Sequence, residues 1–225
     1  MTVQQNVAFV QREIEEACKR ANRSLTDITL VAVTKTVGIE KTKEVLAAGI
    51  HHLGENRNEG FLPKYDELGQ EATWHFIGSI QTRKVKEIID KIDYLHSLDR
   101  LSLASEIQKR ASKTVACFVQ VKTSKEESKQ GLMPEEVLSF IKELANFDKI
   151  NVVGLMTMAP YTTDEKQIRT CFQTLKKLQQ DVQNLHMTHA PCTELSMGMS
   201  NDYTIAIEEG ATYLRLGTIL VGNES

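Results

Sequence analysis

The chain is poor in the features that mark several function classes. Its 225 residues hold four cysteines, Cys18, Cys117, Cys171 and Cys192, and no two have CxxC spacing. That pattern argues against a disulfide framework or a zinc site, and the cysteines read as small core residues. No HExxH or HxxxH spacing occurs, so no metal is expected. No apolar run approaches the roughly 18 residues that would suggest a membrane span. There is no dense basic tract, and 27 Lys and Arg against 30 Asp and Glu leave a net charge of −3. Charge alone therefore gives no reason to expect nucleic-acid binding. No GxGxxG follows the first apolar run, so the usual dinucleotide fingerprint is missing. With four prolines and no Pro/Gly/Ser-rich stretch, nothing marks a linker, and one domain is expected over residues 1–225. The opening segment, "MTVQQNVAFVQREIEEACKR", has a helical period and lacks the apolar core of a secretory signal. A cytoplasmic location is expected on that ground.

What is present is an ordinary globular composition, 41% hydrophobic and 25% charged, with a regular alternation of two periods. Val7, Val10, Ile14, Ala17 and Ala21 recur three and four apart and predict a first helix. The run Thr29 to Val33 reads as a buried strand ending in Lys35. A helix over about 39–48 stops at Gly49. Strands in "HHLGEN", "TWHFIGS", "DYLHSLD", "TVACFVQV", "INVVGLMTM", "TELSMG" and "TYLRLGT" follow, separated by helical patterns. Asp99 is expected to cap the helix after the fourth strand, Pro134 to open the one after the fifth, and Ser200 to cap the one after the seventh. The helix over about 164–186 has Ile168, Phe172, Leu175, Leu178, Val182 and Leu185 on one face. Eight strands alternating with helices, preceded by one extra helix, predict parallel pairing and a single (β/α)8 TIM barrel, an α/β fold. An open doubly wound sheet is the alternative.

In such a barrel, chemistry gathers at the C-terminal ends of the strands. The first strand delivers Lys35 there and the second Glu55 and Asn56. The third brings His75, Gly78, Ser79 and Gln81, and the fourth His96, Ser97 and Asp99. The fifth gives Lys122, Thr123 and Ser124, the sixth Met156, Thr157 and Met158. The seventh supplies Ser196, Met197, Gly198 and Ser200, and the eighth Arg215, Gly217 and Thr218. Small residues before a helix start in "SMGMSNDY", next to "RLGT", make a phosphate site at the last two strand ends. Lys35 is expected to face that site across the barrel mouth. An amine there can attack an aldehyde. A phosphate-bearing aldehyde satisfies both ends, and pyridoxal 5'-phosphate is one. A class I aldolase acting on a sugar phosphate would use the same lysine chemistry, and these features do not separate the two. His51 and His52 read as structural, and His186 and His189 as solvent-facing. Tyr161, after the sixth strand, reads as a surface loop aromatic and is the one tyrosine to watch for ligand contact. The run Arg83, Lys84, Lys86 reads as a solvated helix face.

The segments "LVAVTKTV", "LGENRNEG", "WHFIGSIQTRKVK", "SKEESKQG", "GLMTM" and "ELSMGMSNDYTIAIEEGATYLRLGT" occur in the order seen in the YggS/PROSC family of pyridoxal phosphate homeostasis proteins. The resemblance runs from about residue 6 to residue 222. It implies a barrel like the N-terminal domain of alanine racemase, the type III fold of pyridoxal phosphate proteins. It also implies that Lys35 carries the cofactor as an internal aldimine. Ser196, Met197, Gly198, Ser200, Gly217 and Thr218 would surround the phosphate, and Arg215 would approach the pyridine nitrogen and keep it unprotonated. Asn56 would lie beside the cofactor, with His75 and Met156 lining its pocket. Three positions depart from the pattern: Lys122 and Arg83 stand where asparagine is common, and Val221 where phenylalanine is common. The implied role is holding and buffering the cofactor and passing it to apoenzymes, without established catalysis. A small amino-acid racemase is the alternative, although a racemase of this fold needs a second acid/base that alanine racemase draws from another domain. With no dimerisation domain evident, a monomer is expected.

Overall fold

Strand and helix follow one another in the order the two periods imply. The computed structural model describes residues 1–124 and 130–222. Residues 125–129 of "SKEESKQG" lie outside the described residues. The strands are β1 (Thr29–Val33), β2 (His52–Glu55), β3 (Thr73–Phe76), β4 (Tyr94–Leu98), β5 (Val115–Gln120), β6 (Ile150–Met156), β7 (Glu194–Ser196) and β8 (Tyr213–Leu216). The α-helices are α1 (Val3–Arg20), α2 (Ile39–Ala47), α3 (Asn58–Leu68), α4 (Val85–Ile88), α5 (Leu101–Arg110), α6 (Val137–Glu143), α7 (Glu165–Gln183), α8 (Tyr203–Glu208) and α9 (Thr218–Val221). Each strand pairs in parallel with the next, and β8 closes on β1 with Thr29 opposite Tyr213 and Val31 opposite Arg215. The closure rules out the open sheet. No described helix is long and apolar enough to cross a membrane.

Local chemistry explains the element ends. Thr2 and Gln5 form a reciprocal capping box at the start of α1, whose inner face is Val3, Val7, Val10, Ile14, Ala17 and Cys18. This extra helix packs against α8, α9 and α2. Asn6 donates to the Leu220 carbonyl, and Arg23 to the carbonyls of Ile207 and Ala211. Asp164 caps α7 by accepting from the backbone of Lys166 and Gln167. Gly49 ends α2 with φ +87°, a left-handed conformation that glycine adopts without steric cost. Gly154 in β6 serves a close approach: a Cβ there would stand 2.1 Å from the Glu194 carbonyl oxygen of β7.

Two expected caps differ. The cap position of α5 is Arg100, and Asp99 spends its carboxylate on the Arg100 guanidinium at 2.6 Å. The cap position of α8 is Asp202, which accepts from the Met199 N–H at 2.6 Å. Ser200 sits one turn of loop too early. His189 also departs from its expected solvent exposure: it is half-buried and bonds the Ile141 carbonyl.

Burial divides into two layers. The outer one, between strands and helices, is aliphatic and includes all four cysteines. The inner one is small and holds Val31, Phe118, Met156 and Tyr213.

Candidate functional site

β1 is followed by the buried Thr34, after which the chain turns and presents Lys35 to solvent. Among the described residues, the Lys35 amine has no hydrogen bond or ion pair. Its backbone is held firmly from below. Lys64 of α3 donates to the Thr34 carbonyl and to Glu55 Oε1, both at 2.6 Å. Thr34 Oγ1 donates to the same carboxylate oxygen at 2.6 Å. All three side chains are buried. Lys64 lies on the same helical stripe as Phe61 and Leu68, where an aliphatic residue would be ordinary. The lysine is there because a carboxylate is there: each charge satisfies the other where water cannot.

β8 brings Arg215 to the floor of the same mouth. It is 4% exposed. Its guanidinium donates to Ser196 Oγ at 2.5 Å and to the Thr157 carbonyl at 2.9 Å. Thr157 is held in turn by the Val121 carbonyl and the Thr123 hydroxyl. Both oxygens facing Arg215 are neutral, and among the described residues the guanidinium makes no ion pair. Burial lowers its pKa to about 10, against a smaller opposing effect of Asp202. A cation buried this way is stabilised by an electron-rich group placed over it.

The loop after β7 runs beside it. Gly198 has φ +99°, and a Cβ there would stand 2.8 Å from the Ala206 Cβ and 3.0 Å from Leu214. Its carbonyl accepts from the Arg215 N–H. The Met199 N–H bonded to Asp202 fixes the loop into α8. Ser200 is half-buried, Gly217 is the cap residue of α9, and Thr218 is exposed as the first residue of α9. The Ser200 and Thr218 hydroxyls have no hydrogen-bond partner among the described residues. Because the barrel closes, β7, β8 and β1 are consecutive around it. Lys35 is therefore next to the two loops and not across the mouth from them.

The other expected residues fall in three places. Met156 ends β6 inside the barrel, against Val31, Phe118 and Tyr213. Asn56 lies after β2 on a depression of about 380 Å³ shared with Arg57, Ser79 and Gln81. Met197 packs outward into the aliphatic layer. His75 lies deeper than a mouth residue, bonded to His52 below and His96 above at 2.9 Å each. His96 in turn meets Ser196 Oγ at 2.8 Å. Tyr161 is 91% exposed on the loop after β6. Sequence reasoning missed Lys64 and the linkage of the three histidines. The signal for the first was a lysine in an apolar stripe. The signal for the second was one histidine in each of three successive strands, which weighing them singly conceals.

The chain matches the family model for the alanine racemase N-terminal domain over residues 10–225. It is 39% identical over 226 residues to the pyridoxal phosphate homeostasis protein of Aquifex aeolicus, covering 99% of this chain and 98% of that protein. Among solved structures it is similar to an unknown protein from Bifidobacterium adolescentis, with a TM-score of 0.93, 30% identity and coverage of 97% and 94%. It is also similar to PipY of Synechococcus elongatus with PLP bound, with a TM-score of 0.82, 29% identity and coverage of 93% and 100%. The chain belongs to the alanine racemase N-terminal domain family and, within it, to the pyridoxal phosphate homeostasis proteins.

Proposed function

We propose that this protein binds pyridoxal 5'-phosphate at the C-terminal mouth of its barrel and serves in pyridoxal phosphate homeostasis, holding the cofactor on Lys35 for delivery to apoenzymes. One observation carries this reading. An amine without a partner, Lys35, stands one strand away from a buried guanidinium that no described carboxylate neutralises. When bound, the cofactor supplies an aldehyde carbon for an amine, a ring nitrogen and a phosphate. The donor set of the mouth fits those three groups. Lys35 offers the nucleophile from a turn that Lys64, Glu55 and Thr34 clamp in place. Arg215 can only donate, so the ring nitrogen it meets is an acceptor without a proton. Ser196 and the Thr157 carbonyl hold the guanidinium in that orientation. Gly198, Ser200, Gly217 and Thr218 take the phosphate side, Met156 the floor and Asn56 the edge.

Delivery without turnover is favoured over racemisation by the tyrosines. Tyr94 and Tyr213 are inside the barrel below Arg215, with ring centroids 5.7 Å apart. Tyr65 packs with Phe61 and Trp74, and Tyr203 is buried in α8. Tyr161 points to solvent. A racemase needs an ordered second acid/base opposite its lysine, and none of the five is so placed. The protein in this reading acts as a monomer in the cytoplasm.

The test is the absorption spectrum of the purified protein with added pyridoxal 5'-phosphate, beside Lys35→Ala. The expected result is a visible band that disappears on borohydride reduction and leaves a pyridoxyl mass on Lys35. A wild type that stays colourless would favour a sugar-phosphate ligand. Exchange of the α-hydrogen of an added amino acid, lost in Lys35→Ala, would overturn the carrier reading and establish an enzyme.

A further inference from the structure

The interior of a parallel eight-stranded barrel is ordinarily filled by branched aliphatic side chains. Here three successive strands turn imidazoles inward. His52 opens β2, His75 lies in β3 and His96 in β4. They are joined nitrogen to nitrogen. His52 Nδ1 stands 2.9 Å from His75 Nε2, and His75 Nδ1 stands 2.9 Å from His96 Nε2. His96 Nδ1 is 2.8 Å from Ser196 Oγ, to which Arg215 donates. His75 and His96 are buried, and His52 is half-buried. The far end of the line is not closed. His52 lines a cavity of about 970 Å³ at the N-terminal mouth, together with Arg12, Glu15 and His51.

Arg215 closes one end of this line. A guanidinium donates and never accepts. Ser196 Oγ therefore accepts from Arg215, and in the resting state of the line it offers its own hydrogen to His96 Nδ1. His96 then carries its proton on Nε2 and donates to His75 Nδ1. His75 donates from Nε2 to His52 Nδ1. Every contact within the line is satisfied with all three rings neutral and in one tautomer. Burial acts the same way, holding His75 and His96 well below the ordinary histidine range and His52 below it to a lesser degree.

We propose that His52, His75, His96 and Ser196 form a proton wire through the barrel, coupling the protonation state at the N-terminal mouth to the hydroxyl that holds Arg215. When His52 takes up a proton, its Nδ1 becomes a donor and the line must reverse. The hydrogen on His75 Nε2 passes to His52 Nδ1, that on His96 Nε2 to His75 Nδ1, and that of the Ser196 hydroxyl to His96 Nδ1. The proton that replaces it on Ser196 Oγ comes from water at the C-terminal mouth, and Arg215 stays a guanidinium that only donates its hydrogen bond. At each step one bond to hydrogen breaks and one forms. One proton has moved to His52, and His75 and His96 end neutral as the other tautomer. Ser196 Oγ then accepts from both His96 and Arg215, and its hydrogen turns away from the line. His75 and His96 are positioning residues in this scheme, acting on the cofactor end through Ser196 and Arg215.

The groups that tune the wire can be named. His52 is faced by His51, by Asp93 before β4, and across the cavity by Arg12 and Glu15 of α1. His75 is faced by the Tyr94 ring, stacked at 4.6 Å, and by Tyr213. His96 is faced by Phe118, stacked at 4.3 Å, by Tyr213 and by Arg215. Arg215 is faced by Asp202.

Nitrogen-15 NMR of the imidazoles in the cofactor-free protein tests the wire without relying on the functional reading. The expected result is three neutral rings protonated on Nε2 at pH 8. On acidification, His75 and His96 change tautomer with the midpoint of His52 and stay neutral. In His75→Phe, His96 no longer follows His52. Loaded with pyridoxal 5'-phosphate, the wild type shifts its visible band at that same midpoint and His75→Phe does not. If His75 and His96 keep their tautomer while His52 titrates, or titrate with midpoints of their own, the wire is wrong. The wild-type NMR decides this even should His75→Phe fail to fold. A linked tautomer change in a protein that takes up no cofactor would overturn the functional reading and leave the wire standing.

Discussion

At the scale of single residues, two lysines at the same strand end behave oppositely. Lys35 is exposed and unpaired, so Lys35→Ala should change the unfolding free energy by no more than about 0.5 kcal/mol while abolishing the borohydride-trapped adduct. A large loss of stability would mean that Lys35 is structural. Lys64 is buried against Glu55, and breaking a buried pair from one side leaves an uncompensated charge. Lys64→Met should cost about 3–5 kcal/mol in urea denaturation. Adding Glu55→Gln should recover part of that loss, since it removes the stranded charge. If the double variant is no more stable than the single one, the carboxylate is not the cause. The lysine at the end of an apolar run was legible in the sequence because a charge there breaks the pattern. Lys64 was less legible, because its partner is nine residues away in sequence and on another element.

At the scale of elements, the loop from β7 into α8 rests on Gly198. Its φ of +99° and the packing of Ala206, Leu214 and Tyr203 around the missing Cβ make Gly198→Ala a strained substitution. Backbone strain of this kind costs about 1–3 kcal/mol. The Gly198 carbonyl accepts from the Arg215 backbone, so the same substitution should weaken cofactor binding more than it lowers stability. Fluorescence titration with pyridoxal 5'-phosphate alongside thermal melting checks this, and unchanged affinity would remove the loop from the phosphate side. The elements themselves were readable: the first strand, the α7 stripe and the Gly49 stop all fall where periodicity and turn chemistry predict. Caps were less so. Asp99 and Ser200 are good capping residue types, yet Arg100 competes for the first and Asp202 is better spaced than the second.

At the scale of the whole molecule, the barrel interior imposes a pH dependence. His75 and His96 have their folded pKa values well below 6.5, mainly through burial. As pH falls below about 6.5 the unfolded chain binds protons that the folded one refuses, so stability is lost. The loss should be about 1.4 kcal/mol per pH unit for each buried imidazole, until its folded pKa is reached. Above pH 7 these groups should contribute no slope. Urea denaturation between pH 5 and 8 measures this, above the range where carboxylates titrate. A flat profile from pH 7 to pH 5 would mean that the imidazoles protonate in place.

By itself the sequence determined the α/β alternation, the closing count of eight strands, the lysine at the first strand end and the family. Each of these is local, or a repetition of something local, and periodicity records local facts. The tertiary structure alone decided which strand ends are neighbours. Closure through β1 and β8 set Lys35 beside Arg215 and its loops, where the linear order suggested opposite sides. It alone also decided which way each side chain faces around the ring. His52, His75 and His96 stand more than twenty residues apart in the chain. Only parallel registration of three strands turns them inward to meet within hydrogen-bond distance.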